Sequence, residues 1–250
     1  RPDVLGEADL VEEVARVASL TKLQGKPLPR STTGVPKAIL TPMQKREHIA
    51  RRTMAALGYN ECVTYSFIDR KSAELFGGGD DATMLENPIS SDMSHMRPDL
   101  LAGLLQAAQR NQARGFADMA LFEVGPAFHG GEPEEQNLQA AGLLVGRTGP
   151  KDVHGASRNV DLFDAKADAE AVLAAIGAPA KVQILRDGAP WWHLGRHGRI
   201  CLGPKKMLAV FGEVHPKTLA EMDVKGPAVA FTIWPAEIPM PRNASATRPA

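Results

Sequence analysis

Four acidic residues near the amino terminus have the types and spacing to hold a metal ion: Asp3, Asp9, Glu12 and Glu13. Asp9 precedes Glu12 and Glu13 by three and four positions, which places these three on one helix face, and Asp3 could fold back toward them from the preceding segment. Carboxylates brought together repel unless a hard cation such as Mg2+, which takes an octahedron of oxygens, neutralises them. The same acids would also complement the positive end of a helix dipole with no ion present. Spacing alone leaves both readings open. His193 and His197 are also four apart, but Gly195 and Gly198 argue against a helical pair and no third ligand is evident, so zinc is disfavoured. Glu213 and His215 alternate along one strand face as an acid/base pair would, while Pro216 directly after them favours a turn. Gly77-Gly78-Gly79-Asp80-Asp81 lacks the Lys-Ser/Thr ending of a phosphate loop and reads as a turn. No nucleophile elbow, dinucleotide fingerprint or cysteine metal motif accompanies these residues.

The elements that must position them belong to a globular chain of 250 residues with 44% hydrophobic content, enough for one large domain or two small ones. Lys+Arg and Asp+Glu both number 29, so net charge gives no sign of a general polyanion binder, and any RNA contact is local. Cys62 and Cys201 lie far apart, and no leader or apolar run of transmembrane length is present, which fits a reducing cytoplasm and no membrane. Both ends read as cut from a larger protein.

A first helix is expected over Ala8–Leu20, with Leu10, Val11, Val14, Ala15 and Ala18 as its apolar side. The connector Thr21–Leu40 is broken by Pro27, Pro29 and Pro36. Thr41-Pro42 then caps a helix running to Leu57 and closed by Gly58; its basic residues Lys45, Arg46, Arg51 and Arg52 read as a solvated face. Cys62–Phe67 alternates as a strand. The central element is the helix after Arg97-Pro98-Asp99, with Pro98 suited to its first position and Leu100, Leu101, Leu104, Leu105 and Ala108 on one buried stripe. Gly103 inside it costs about 1 kcal/mol relative to Ala, which predicts a close crossing there. Met119–His129 and Leu138–Arg147 form an antiparallel pair, and a further helix lies within Asp161–Gly177. Strands follow at Lys181–Leu185, Ile200–Leu202, Leu208–Val214 and Ala228–Trp234, with a short helix at Lys217–Met222. The helix-strand alternation of a parallel sheet is missing, so the class is α+β, an antiparallel sheet flanked by helices.

Several stretches, in order along nearly the whole chain, resemble the beta subunit of bacterial phenylalanyl-tRNA synthetase. They are RPDVLGEADLVEEVARV (Arg1–Val17), GYNECVTYSF (Gly58–Phe67), ENPISSDMSHMRPDLLAGLL (Glu86–Leu105), LFEVGPAFH (Leu121–His129), FDAKADAEAVL (Phe163–Leu173) and FGEVHP (Phe211–Pro216). His193-Leu194-Gly195-Arg196-His197 departs from that family's H-P-G-R-S pattern at two places. The resemblance implies the core of a class II aminoacyl-tRNA synthetase over 41–242, preceded by the end of a winged-helix-like module (1–20) and a linker (21–40), with a tail at 243–250. It also implies that Asp3, Asp9, Glu12 and Glu13 match the family's Mg2+-binding carboxylates, at a site shared with the alpha subunit.

Class II synthetases grip ATP with an Arg and a nearby acid on a strand-loop-strand motif, and with a second Arg on a late glycine-rich motif. Overlaid here, His129 falls in the first Arg position, Ala141 in the acid position, and Gly226–Trp234 supplies neither the glycines nor the Arg. Neither a catalytic nor an ATP-binding residue is therefore assigned. The resemblance implies a non-catalytic core scaffolding the active alpha subunit in a heterotetrameric phenylalanine-tRNA ligase that charges tRNA(Phe). Its subunit interface would be the long helix and following strand, Thr41–Phe67, whose Met43, Ile49, Ala50 and Met54 predict self-association of the piece alone. Two other classes remain: a self-sufficient ligase, which needs the missing Arg pair, and a free-standing module for a small molecule or RNA, for which a basic groove is the expected mark.

Overall fold

Asp9 starts the first helix, α1 (Glu7–Ala18), by accepting the N–H groups of Gly6 at 2.8 Å and Leu5 at 3.1 Å. The computed structural model describes residues 2–29, 40–149, 153 and 157–240; Pro36 of the connector and the tail Asn243–Ala250 lie outside them. It divides into two units, Arg1–Ile39 and Leu40–Ala250. Helix α1 belongs to the first, and none of its residues is buried there.

The second unit opens on Thr41, whose hydroxyl accepts the Gln44 N–H at 3.2 Å while Gln44 reaches back to the Thr41 N–H at 2.9 Å, a reciprocal cap that fixes the start of α2 (Pro42–Ala56). Then follow β1 (Asn60–Glu61), β2 (Phe67–Ile68), α3 (Arg70–Leu75), β3 (His95–Met96) and α4 (Leu100–Gln112). The rest is β4 (Met119–Phe128), β5 (Gln136–Val145), α5 (Leu162–Ala175), β6 (Gln183–Leu185), β7 (Trp192–Leu202), β8 (Lys206–Val214), α6 (Pro216–Glu221) and β9 (Ala228–Ile233).

Seven strands make one sheet in the order β1-β4-β5-β9-β8-β7-β6, with every neighbouring pair antiparallel except the edge pair β1–β4. Strand alternation sends each side chain to one of two cores. Leu121, Ala141, Leu143, Val210, Ala228 and Ala230 meet α4 on one face. Phe122, Val124, Ala140, Phe211, Val229 and Phe231 meet α2 and α5 on the other. The result is the expected α+β sheet flanked by helices.

Three local expectations change. Helix α4 begins two residues later than predicted, at Leu100 rather than Pro98, with Asp99 as N-cap rather than inside the first turn. Its burial is not a single stripe: Leu100–Leu105 are all buried, in a core that includes Ile68, Ala73, Phe76, Leu219 and Met222 as well as the sheet residues. Strand β7 is longer than the Ile200–Leu202 apolar core suggested; Leu194, Gly195 and Arg196 are all exposed, apolar Leu194 included, which erases the alternation that marks a strand.

Candidate functional site

The most constrained chemistry lies between α4, β4 and the segment after β1. Cys62–Phe67 was expected as a strand, yet only β1 and β2 at its ends are laddered. Cys62 N–H still donates to Phe122 O at 2.7 Å, and the inside/outside alternation persists, but from Thr64 onward side chains replace the backbone ladder. The Thr64 hydroxyl donates to Glu123 Oε2 at 2.7 Å and its N–H to Oε1 at 3.3 Å. Arg97 Nη1 pairs with Glu123 Oε1 at 2.7 Å, reaches Thr64 Oγ1 at 2.9 Å, and Arg97 Nε donates to Pro126 O at 2.9 Å. Glycines make room for this cluster: a Cβ on Gly103 would lie 2.9 Å from Thr64 Cβ, and one on Gly125 would lie 2.9 Å from Arg97 Nη2. The close crossing expected at Gly103 is thus the Thr64 side chain.

That cluster holds an exposed apolar edge. Val63 is 92% and Tyr65 71% exposed, and Ile49 on α2 and Leu57 at its C-cap are also exposed. Met54 and Ala50, expected on the same surface, are instead fully buried against the sheet. The basic face of α2 also differs from expectation. Arg46 is buried, its Nη1 donating to Pro235 O at 3.0 Å and Ile238 O at 2.7 Å, while Arg51 bonds Glu47 and Val124 O. Lys45 and Arg52 remain exposed.

In the first unit, the candidate metal ligands are partly engaged. The two backbone donors, Gly6 first, hold the Asp9 carboxyl below its ordinary range, and Glu13 pairs with Arg16 at 2.6 Å. Asp3 and Glu12 are exposed. Their hard oxygen chemistry fits Mg2+. Among the described residues, however, no three His, Cys, Asp or Glu side chains gather into a group that could hold a metal ion.

The other sequence candidates have structural partners. His193 and His197 lie on β7, and His197 Nδ1 meets the His193 carbonyl at 2.6 Å. Glu213 is ion-paired with Arg196, and His215 accepts the Lys217 N–H at 3.0 Å as the cap of α6, so the two make no acid/base pair. Gly77 and Gly79 adopt φ of +83° and +85° in the turn after α3. His129 is exposed after the end of β4, Ala141 is buried in mid-β5 opposite Glu123, and every residue of β9 is buried.

Sequence reasoning missed a cleft of about 490 Å3 on the α4 side of the sheet, lined by Trp191, Trp192, Trp234, Phe76 and Asp99. Asp99 Oδ1 accepts the Leu101 N–H at 2.9 Å, and burial pushes its carboxyl up to about 6, against the lowering effects of that bond and of Arg97.

An antiparallel sheet with one parallel edge pair, carrying helices on both faces, is the class II aminoacyl-tRNA synthetase fold. A solved pyrrolysyl-tRNA synthetase from Desulfitobacterium hafniense superposes with a TM-score of 0.57 at 14% identity, covering 91% of this chain and 73% of that one. The family model described as the phenylalanyl tRNA synthetase beta chain CLM domain matches residues 27–234, and the chain belongs to that family. The beta subunit of phenylalanine–tRNA ligase from Ruegeria pomeroyi is 77% identical over 250 residues, and that from Rhodospirillum rubrum 49% identical over 251. Each alignment covers 100% of this chain but 31% of the relative, so the chain spans about a third of the length of the curated relatives it matches.

Proposed function

We propose that this chain is a non-catalytic class II core whose task is to hold the catalytic alpha subunit of a phenylalanine–tRNA ligase, and through it to support charging of tRNA(Phe) in the cytoplasm. The observation that carries the reading is the edge at Val63 and Tyr65. Large apolar side chains rarely stand so exposed on a segment that the protein has otherwise fixed with a buried ion pair. Such a preorganised edge loses little conformational freedom on binding, which favours a stable partner. With no alpha subunit present, the same edge is expected to pair with a second copy of the chain.

Adenylate chemistry is assigned to the partner. The arginine on the cleft lining, Arg199, is already committed to Asp187, and buried Arg97, two residues before Asp99, to Glu123, so neither is disposed to grip a phosphate. Mg2+ is placed at Asp3, Asp9, Glu12 and Glu13, with the alpha subunit completing the ligand set. Mg2+ demands a near-ideal octahedron, so the chain alone should bind it weakly.

Co-expression of the cognate alpha subunit with the beta subunit restored to the length of its relatives tests the scaffold. The unaltered pair is expected to co-purify and the Val63→Asp, Tyr65→Asp variant to lose the partner while keeping its melting temperature. A variant that retains the alpha subunit at full affinity would place the interface elsewhere.

A further inference from the structure

The chain contains three tryptophans, and all of them, Trp191, Trp192 and Trp234, line a cleft that Asp99 also lines. We propose that this cleft binds a compact aromatic amine, its ring among the indoles and its ammonium directed to Asp99. The volume, about 490 Å3, lies within the range of sites for small organic ligands. Indole faces attract cations as well as rings, so the walls favour both halves of such a molecule.

The polar groups select the charge. Asp99 is almost completely buried, and among the described residues its one short-range donor is the Leu101 N–H on Oδ1, which leaves the carboxylate further lone pairs for a ligand ammonium. Gln139 on the same wall has its Oε1 taken by the Leu100 N–H at 3.2 Å. Arg199 is the cation on the lining, and it is neutralised by Asp187, with Nε to Oδ1 at 2.8 Å. Trp191 Nε1 is a buried donor without a partner among the described residues, so a carboxylate or phosphate would find that one neutral donor but would have to break an ion pair to meet a cation, whereas an ammonium meets a buried anion without a full set of partners. This site is independent of the alpha subunit, so its failure would leave the scaffold reading untouched.

The three indole N–H resonances of 15N-labelled protein all report on the cleft, which makes them the readout. Titration with phenethylamine is expected to shift them saturably. The neutral isostere 2-phenylethanol should bind about ten-fold more weakly, the scale of one charge-assisted hydrogen bond, and 3-phenylpropionate should give no saturable shift. Asp99→Asn should reduce phenethylamine to the level of the alcohol. The proposal is overturned if no amine saturates, if the three ligands bind alike, or if a folded Asp99→Asn variant binds phenethylamine unchanged. Should that variant fail to fold, the ligand series in the unaltered protein decides by itself.

Discussion

Arg97 and Glu123 form an ion pair with side chains only 2% and 5% exposed, joining the residue three before α4 to the middle of β4 at 2.7 Å. Thr64 bonds both members, so a segment with no strand ladder of its own is fixed by charge. Removing one member would leave the other buried without its counter-charge. Arg97→Met is therefore expected to cost about 3–5 kcal/mol in urea unfolding, and the double variant Arg97→Met, Glu123→Leu much less. Equal losses in the single and double variants would show that the pair is not coupled.

Gly103 tests the same crossing from the helix side. Ala there gains about 1 kcal/mol of helix propensity, but its Cβ would press on Thr64 at 2.9 Å. Overpacking of this kind costs about 1–3 kcal/mol, so Gly103→Ala should be net destabilising. In a Thr64→Ala background the penalty should shrink, because the hydroxyl and methyl that crowd the site are gone. A thermal-melt cycle over the four proteins measures this. A stabilised Gly103→Ala variant would mean that the crossing is loose.

Much of this architecture was legible because its signals are local. The Thr41-Pro42 cap, the antiparallel β4–β5 pair and the apolar helix after Asp99 each carry their own punctuation or period. Glu123 gave a hint that went unread, a single acid between Phe122 and Val124 in an apolar strand, which demands a buried cation. The identity of that cation, Arg97, depends on how α4 lies on the sheet, and sequence spacing carries no such information. The cleft was hidden for the same reason: Trp191-Trp192 and Trp234 are separated by some forty positions and meet only once the sheet forms. Ala50 and Met54 were misplaced because the helix periodicity shows a stripe without saying what covers it.

Asp99 makes a pH prediction with a definite sign. Burial raises its folded-state value from 3.8 to about 6, so between about pH 4 and 6 the folded protein holds a proton that the unfolded chain has released. This residue's contribution to stability therefore falls as pH rises through that window, by about 3 kcal/mol in all. Asn is an equally good N-cap and can keep the Leu101 bond. The stability difference between Asp99→Asn and the parent should favour the variant above pH 6 and shrink toward pH 4, other titrations cancelling between the two. A difference that is flat with pH would show that Asp99 is not ionising in a desolvated site.

Adenylate formation is the activity the chain should lack. The reaction develops charge on the phosphates, and losing one preorganised donor costs on the order of 3–4 kcal/mol of transition-state stabilisation. Here the slot for the first Arg holds His129, exposed beyond the end of β4, and an imidazole lacks the bidentate fork of a guanidinium. The acid slot holds Ala141, buried opposite Glu123, and that carboxylate is already spent on Arg97. In the late slot, β9 is Ala228–Ile233, buried throughout and without a cation. Restoring His129→Arg alone should therefore give no gain, since neither the acid nor the second Arg returns with it, and effects of groups that act as a unit do not add. Calorimetry with ATP, and an exchange assay for phenylalanine-dependent incorporation of pyrophosphate, are expected to read background for both proteins. Saturable ATP binding together with exchange by the unaltered chain would remove the scaffold assignment and make the core itself a ligase.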